Sequence, residues 1–541
     1  MTQQPLPASL AAGLARAAAY PRDPDAGRPG FRVEWVQTHL SHVFLTPARV
    51  YKLRKAVDLG FVDFSTRALR NADCRREVRL NRRLAPDVYL GIAPIEARGK
   101  RFAIGALGQT CSPAREHVVV MRRLPAGRDA LSLLARGDFG AARVDAVAQR
   151  LARFHAAHGL GRPSPWSRAA WLAQLQRPVM DNLRLLEASA GRLFPRSTWV
   201  ATCAAARAFV AAHRDAFEAR RREGRVVDGH GDVHLQHVWF ETGRAEPTLV
   251  DCIEFNDSLR RIDAAAEVAF LAMDLRYRGR AALAGRFLQS YAEAADDYGL
   301  FTVVDYFVSY RAAVRAKVAA IAANDASIAP RQRAAAATSA RAHMRLAARA
   351  LREPAPGALV LLAGIVGTGK SSAAEVVADA TGGVAIASDR LRKHLGGLPD
   401  AARDGARRGL YTQAAKDAVY RALLERAAPV VRSGRVAVLD ATYERAAHRD
   451  RALGWAAARG IPACVVETRA PRAATLERLA RRAAGGRSAS DAGPARYEAS
   501  RRAFAPVRPP RGVAHFIART ARPGWRAELR RQLRRWRAGH S

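Results

Sequence analysis

Lysine is almost missing from this chain of 541 residues: seven of the 89 basic residues are lysine and the rest arginine. Arg and Ala are abundant everywhere, so a lysine marks a position that excluded arginine, and Lys52 and Lys370 both fall in patterned surroundings. Cysteine is scarce too. Cys74, Cys111, Cys203, Cys252 and Cys464 are scattered, odd in number and never in a C-x-x-C pair, which argues against a disulfide framework or a zinc site and points to the reducing cytoplasm. No stretch reaches the ~18 consecutive apolar residues of a membrane span. The Ala-rich start, Leu6 to Tyr20, lacks a basic segment followed by a continuous apolar core, so it predicts a short helix and no signal peptide. Repeats of solenoid period are absent. Acidic side chains are outnumbered, giving a formal charge of +40, of which residues 357–541 and the first 356 residues each carry +20. A charge spread so evenly reads as arginine filling solvated faces, with nucleic acid left open as a secondary partner.

What is present begins with Gly364-Ile365-Val366-Gly367-Thr368-Gly369-Lys370-Ser371, which fits the P-loop (Walker A) pattern G-x-x-x-x-G-K-[ST] at every position. An apolar run, Ala358 to Leu362, precedes it and predicts a buried strand; Ser372 to Ala380 follow with helix-forming residues. A strand turning on glycines into a helix aims backbone N–H groups and the positive helix end at one point, where triphosphate oxygens can sit. Gly364, Gly367, Thr368, Gly369, Lys370, Ser371 and Ser372 are therefore the expected nucleotide-binding residues, with Lys370 on the β and γ phosphates and the Ser371 hydroxyl on Mg²⁺.

The first half opens with short apolar runs, Phe31–Val36, Val43–Leu45 and Val50–Leu53, that predict a small antiparallel sheet. A helix from about Ser65 to Leu84 carries Glu77, and Pro86 ends it. Val118–Met121 is a further strand leading to a hinge, and residues 144–158 hold a helical pattern in which His155 and His158 are expected in core or capping roles. His230-Gly231-Asp232-Val233-His234-Leu235-Gln236-His237 then precedes a strand-like stretch, and Asp251 follows Asp232 by nineteen residues. That order suits a phosphotransferase catalytic loop and a metal-binding aspartate: one carboxylate accepts the proton of an attacking hydroxyl, the other holds Mg²⁺ against phosphates. Asp263 is expected to anchor the loop, and Lys317 to lie on the surface.

Lys52, Glu77, Met121, His230-x-Asp232 and Asp251, in this order, resemble the aminoglycoside phosphotransferase family, a branch of the protein-kinase-like fold. The phrases Val62–Thr66, Leu80–Pro86 and Glu254–Asp257 resemble a bacterial subgroup in which that domain is fused to a P-loop kinase. The resemblance implies Lys52 on the nucleotide phosphates, Glu77 as its partner, Asp232 as catalytic base and Asp251 as metal ligand. Two departures stand out. Where the family's loop carries a metal-binding asparagine this chain has His237, so the metal differs, or His237 donates a hydrogen bond, or the lobe is a weakened catalyst. Thr38-His39-Leu40-Ser41-His42 occupies the place of the glycine-rich loop, and without glycines the backbone approaches phosphates less closely. A degenerate, nucleotide-binding lobe is the rival reading of this half.

Pro354 and Pro356 with Gly357 mark a linker. Beyond it, Val384–Ala387, Val436–Asp440 and Cys464–Val466 read as further buried strands, and strands separated by helices predict a parallel sheet with ligands at its carboxyl ends. Asp389 and Asp440 are expected at such ends, Asp440 holding Mg²⁺. Asp389 with Arg392 resembles P-loop kinases of the polynucleotide-kinase and zeta-toxin type, which implies that Asp389 activates the acceptor hydroxyl and Arg392 binds the acceptor. Leu476–Arg482 and Arg487 predict a basic lid, with Arg478 and Arg482 closing on the transferred phosphoryl group. Trp525, Leu529, Leu533 and Trp536 recur at helical spacing in a segment that docks by this stripe.

The expectation is thus an α+β, two-lobed, protein-kinase-like domain over residues 31–345 (small lobe about 31–122), after an N-terminal helical extension, 1–30. A linker, 346–357, leads to an α/β P-loop domain with a parallel sheet, 358–541. The function expected is an ATP- and Mg²⁺-dependent phosphotransferase acting on a small-molecule or nucleotide hydroxyl. The alternative is a P-loop kinase or ATPase acting on nucleic acid, its N-terminal half a binding module.

Overall fold

The computed structural model describes residues 4–58, 60, 62–99, 101–397, 412–485 and 494–540. It divides into two compact units, one of Met1–Ser167 with Arg221–Asp274, the other of Arg168–Arg220 with Leu275–Ser541.

The first unit holds a six-stranded antiparallel sheet of β1 (Glu34–Gln37), β2 (Ser41–Leu45), β3 (Arg49–Arg54), β4 (Tyr89–Arg98), β5 (Arg101–Ile104) and β6 (His117–Arg122), in the order β1-β2-β3-β6-β4-β5. Side chains alternate across a strand, and β6 obeys this. Val118 and Val120 join Phe44, Tyr51, Leu53 and Ile104 on one face, which Leu10, Leu14 and Tyr20 of the N-terminal segment complete. Val119 joins Cys74, Val78, Tyr89 and Ile92 on the other, against the helix Arg67–Asn81. Thr66 caps that helix by accepting the Leu69 N–H at 3.3 Å, one residue beyond the Ser65 expected. β1 begins three residues later than the apolar run suggests. Phe31 and Val33 pack on the core before the strand, which is itself exposed at the sheet edge.

Two short ribbons complete the parts of this unit that matter for chemistry. β7 (Val226–Asp228) pairs with β10 (Arg261–Asp263), and β8 (Val238–Trp239) with β9 (Thr248–Leu249). The loop 229–237 runs from β7 to β8, and Asp251 lies just past β9.

The second unit contains a five-stranded parallel sheet of β11 (Ala358–Ala363), β12 (Val384–Ala387), β13 (Val436–Asp440), β14 (Ala463–Arg469) and β15 (Ala514–Arg519), ordered β12-β13-β11-β14-β15. All six residues of β11 are buried, as a central strand covered on both faces requires. The helix Lys370–Thr381 covers one face, and the helix Trp525–Ala538 packs on it through Leu529, Leu533 and Trp536, as the spacing predicted. β15 went unrecognised in the sequence because it is a half-buried edge strand carrying His515 and Arg519.

The same unit includes the helices Ala281–Ala295 and Val304–Asn324, joined to the sheet region by ion pairs. Arg426 pairs with Asp296 (2.6 Å), Arg435 with Asp305 (2.6 Å), and Arg390 with Glu293 (2.7 Å). Lys317, expected on the surface, is half-buried on the second of these helices, and burial lowers its pKa.

Candidate active sites

In the first unit three residues far apart in sequence meet. Lys52, on β3, donates to Glu77 Oε1 and to Asp251 Oδ1, each at 2.9 Å. Burial acts to lower the ammonium's pKa, but Asp251 and Glu77 outweigh it and push it up. Lys52 in turn holds the Asp251 carboxyl far below the usual carboxylate range, against the effect of burial. Met121, on β6, pairs with Val50 and Tyr89 beside this group.

Arg54 was overlooked in the sequence. It binds Asp73 at 2.5 Å, Glu77 Oε2 at 2.6 Å, Glu254 and the Ser41 hydroxyl, and is 2% exposed. A signal existed: Lys52 and Arg54 share one face of a strand at period two, and Asp73 and Glu77 one face of a helix at i, i+4. Burial pushes the Glu254 carboxyl up to about 8, with Arg54 opposing. The arginine thus ties the Glu77 helix to the segment that carries Asp251.

Asp251 takes a left-handed backbone (φ 64°), rare for a residue with a Cβ. Its N–H donates to the Tyr89 hydroxyl at 3.0 Å, and the next N–H, of Cys252, to Asn81 Oδ1 at 2.8 Å. The loop before it is fixed as firmly. Glu267 accepts the N–H groups of His230 (3.2 Å) and Gly231 (3.1 Å), the loop-anchoring role expected of Asp263. Asp263 accepts the Ala265 N–H at 2.7 Å, at the start of its own helix. His230 Nε2–H donates to the Val250 carbonyl at 2.9 Å, and burial pushes its pKa down to about 3, so it is a neutral structural group. Asp232 is left half-buried between His234 (3.7 Å) and His237 (3.5 Å). His155 is buried, and His158 Nδ1–H donates to the Phe154 carbonyl at 2.9 Å near the helix end.

The β1–β2 turn that replaces a glycine-rich loop is tight. Thr38 N–H donates to the Ser41 carbonyl, and Ser41 N–H to Thr38 Oγ1, both at 2.9 Å.

In the second unit Gly364 (φ 152°), Gly367 (81°) and Gly369 (92°) all use backbone that favours glycine. A Cβ on Gly364 would lie 2.4 Å from Thr468 Oγ1. Lys370 folds across the loop, its Nζ donating to the Gly364 and Ile365 carbonyls at 3.0 Å each. Ser371 and Ser372 follow in the first helical turn, where N–H groups have no partner within the helix.

Threonines that the sequence reading missed hold this loop. Thr368 Oγ1 meets Thr468 Oγ1 at 2.8 Å, and Thr520 Oγ1 donates to the Thr368 carbonyl at 2.6 Å. Arg478, expected to close on phosphate, donates to Thr520 Oγ1 and to the Thr520 carbonyl, each at 2.9 Å, which makes it a strut of the loop in this conformation. Asp440 ends β13, opposite Leu362 in register. Asp389 lies in the first turn of the helix Ser388–Leu395 and pairs with Arg392 at 3.0 Å. The side chain of Arg482, and Arg487 entirely, lie outside the described residues.

With both sites in place, comparison with known proteins becomes specific. Residues 60–301 match the phosphotransferase enzyme family, and residues 359–507 match an AAA domain. An uncharacterized protein of Mycobacterium tuberculosis, Rv2004c, is 33% identical over 409 residues, which are 75% of this chain and 78% of the relative. The chain belongs to the same family as that mycobacterial protein. Its architecture is a kinase-like phosphotransferase domain followed by a P-loop domain with a parallel sheet, and it is an enzyme of the kinase class. Among solved structures, a choline/ethanolamine kinase family protein from Mesorhizobium loti is similar at 14% identity, with TM-score 0.35, over 62% of this chain and 97% of that one. A gluconokinase from Sinorhizobium meliloti is similar at 23% identity, with TM-score 0.24, over 35% and 94%. Among the described residues, no helix is long and apolar enough to cross a membrane.

Proposed function

We propose that this family member moves the γ-phosphoryl group of ATP to a hydroxyl acceptor at two sites, one in each unit. The observation that carries the reading is the convergence on Lys52 of Glu77 and Asp251, 25 and 199 residues away, each at 2.9 Å. An ammonium held between a helix and a metal-type aspartate is positioned for nucleotide phosphates. Asp232 accepts the proton of the acceptor hydroxyl as its oxygen bonds to phosphorus, and the pair of the breaking bond leaves with ADP. In the second unit Lys370 exchanges two neutral carbonyls for phosphate oxygens. Asp389 activates the acceptor and Arg392 steadies it, and Arg478 and Arg482 offset charge on the transferred group.

The donors suit Mg²⁺, a hard ion that takes oxygen ligands: the Ser371 hydroxyl and Asp440 carboxylate in one unit, Asp251 Oδ2 in the other. Bound there, Mg²⁺ would supply positive charge to offset that of the phosphates. The acceptor we assign is a small molecule or nucleotide, and the compartment the cytoplasm, on five unpaired cysteines. A second reading, an ATPase acting on nucleic acid beside a degenerate first unit, draws on the tight Thr38–Ser41 turn and the arginine-rich helix Trp525–Ala538.

The test is acceptor-dependent ADP release by the full chain, screened against metabolite and RNA extracts. Asp232→Asn should cost the first site about 10²–10⁴ in rate, and Lys370→Ala should silence the second. Release that needs no acceptor, with steeply salt-dependent RNA affinity, would favour the second reading.

A further inference from the structure

His237 stands where an oxygen ligand is expected, and its two ring nitrogens are not equivalent. Nδ1 lies 2.9 Å from the Asp232 main-chain carbonyl, which can only accept, so Nδ1 donates, and in the neutral ring Nε2 is the nitrogen that presents a lone pair. That lone pair faces Asp251 Oδ2 at 3.5 Å. Asp251 Oδ1 is already taken by the Lys52 ammonium, so Oδ2 is the oxygen left to act, on a side chain 47% exposed. Two acceptors therefore point at one another across a gap too long for a direct hydrogen bond.

A cation between them resolves the arrangement. Metal–nitrogen and metal–oxygen bonds of about 2.0–2.2 Å, at angles between octahedral and tetrahedral, separate the two donors by about 2.8–3.6 Å, and the observed gap lies toward the tetrahedral end. The surroundings hold both donors on that line. Asp251 is locked by its left-handed backbone and by the Tyr89 hydroxyl. The His237 ring is fixed by the Asp232 carbonyl and by the His234 ring, whose centroid is 3.9 Å away. A histidine that gives its far N–H to a main-chain carbonyl has the tautomer and orientation of a metal ligand. The Asp232 carboxylate is close by, its oxygen grouping with nitrogens of His234 and His237 within 4.8 Å.

We propose that His237 Nε2 and Asp251 Oδ2 form a mixed nitrogen–oxygen half-site that selects a borderline divalent ion of the Co²⁺ or Zn²⁺ kind, and to a lesser degree Mn²⁺, over Mg²⁺, with nucleotide phosphates and water filling the remaining positions. Mg²⁺ demands oxygen ligands and gives up water reluctantly, whereas imidazole suits the later first-row ions. The inference rests on reading Asp251 as the nucleotide–metal aspartate, and replaces the hard ion at this one position. The oxygen-only pair Ser371 and Asp440 stays with Mg²⁺.

The experiment uses the full chain carrying Lys370→Ala, which removes nucleotide from the second unit. It is loaded with Mn²⁺ and a non-hydrolysable ATP analogue, and pulsed electron paramagnetic resonance reads nitrogen bound directly to manganese. A ¹⁴N coupling is expected, lost in His237→Asn while Mn²⁺ remains bound, and the Mn²⁺-over-Mg²⁺ preference from competition titration should fall at least ~10-fold. Manganese bound with no ¹⁴N coupling in the parent protein overturns the proposal and leaves the nucleotide reading intact; that outcome makes His237 itself the cation facing Asp251. A coupling unchanged in His237→Asn overturns it equally. Nucleotide and metal binding both unchanged by Asp251→Asn would overturn the nucleotide reading beneath it.

Discussion

The two candidate sites each centre on a lysine, but the lysines rest on opposite kinds of partner. Lys52 donates to two carboxylates, whereas Lys370 donates to two carbonyls of its own loop. The more closely an ammonium is matched by carboxylates, the more it contributes position and the less attraction. Nucleotide affinity should therefore depend more steeply on Lys370 than on Lys52, and catalytic rate more evenly on both.

The largest effect that could break this contrast is loss of the P-loop ammonium. Lys370→Ala should abolish turnover at the second site, whereas Lys52→Met should lower the rate at the first with a smaller change in nucleotide affinity; equilibrium binding and steady-state rates on the full chain check both. Next comes the charge behind Lys52. Arg54→Met leaves Asp73, Glu77 and Glu254 without their buried cation and should cost about 3–5 kcal/mol, the range for breaking one side of a buried ion pair, read as an earlier denaturant midpoint.

A milder change sharpens the picture of the second site. Thr520→Val keeps the shape but removes the hydroxyl that joins Thr368 to Arg478, and a net loss of about 1–3 kcal/mol should surface as a raised KM for ATP. The smallest effect concerns pH. His117 accepts the Ser112 N–H at Nε2 (3.2 Å), and burial lowers its pKa, so the folded state prefers the neutral ring. A group whose folded pKa is depressed below about 6.5 loses its contribution as pH falls through that value. The melting temperature should drop between pH 7 and pH 5, and drop less in His117→Gln.

The phosphate cradle of the second site was legible because one octapeptide holds most of it, and the glycines announce backbone that no other residue adopts cheaply. The first site could be read only by the order of residue types, since Lys52, Glu77, Asp232 and Asp251 meet through folding and not through proximity in the chain. Supporting residues escaped in both. Thr468 and Thr520 act from strand ends a hundred or more residues beyond Thr368, and nothing about a threonine declares such a role. Glu267 was passed over for Asp263, four residues earlier, because both are acids near the start of one helix and only geometry separates them. β15 lacked the apolar run that marked the four strands found, because most of its residues are only half-buried and it carries His515 and Arg519.

The acids at 293, 296 and 305 and the arginines at 390, 426 and 435 lie on opposite sides of the prolines at 354 and 356. A gene truncated at that proline-rich joint would therefore send the cations away with one fragment and strand their counter-charges on the other. Whoever prepares the P-loop portion for study should begin the fragment well upstream, where the partners of those arginines are still attached.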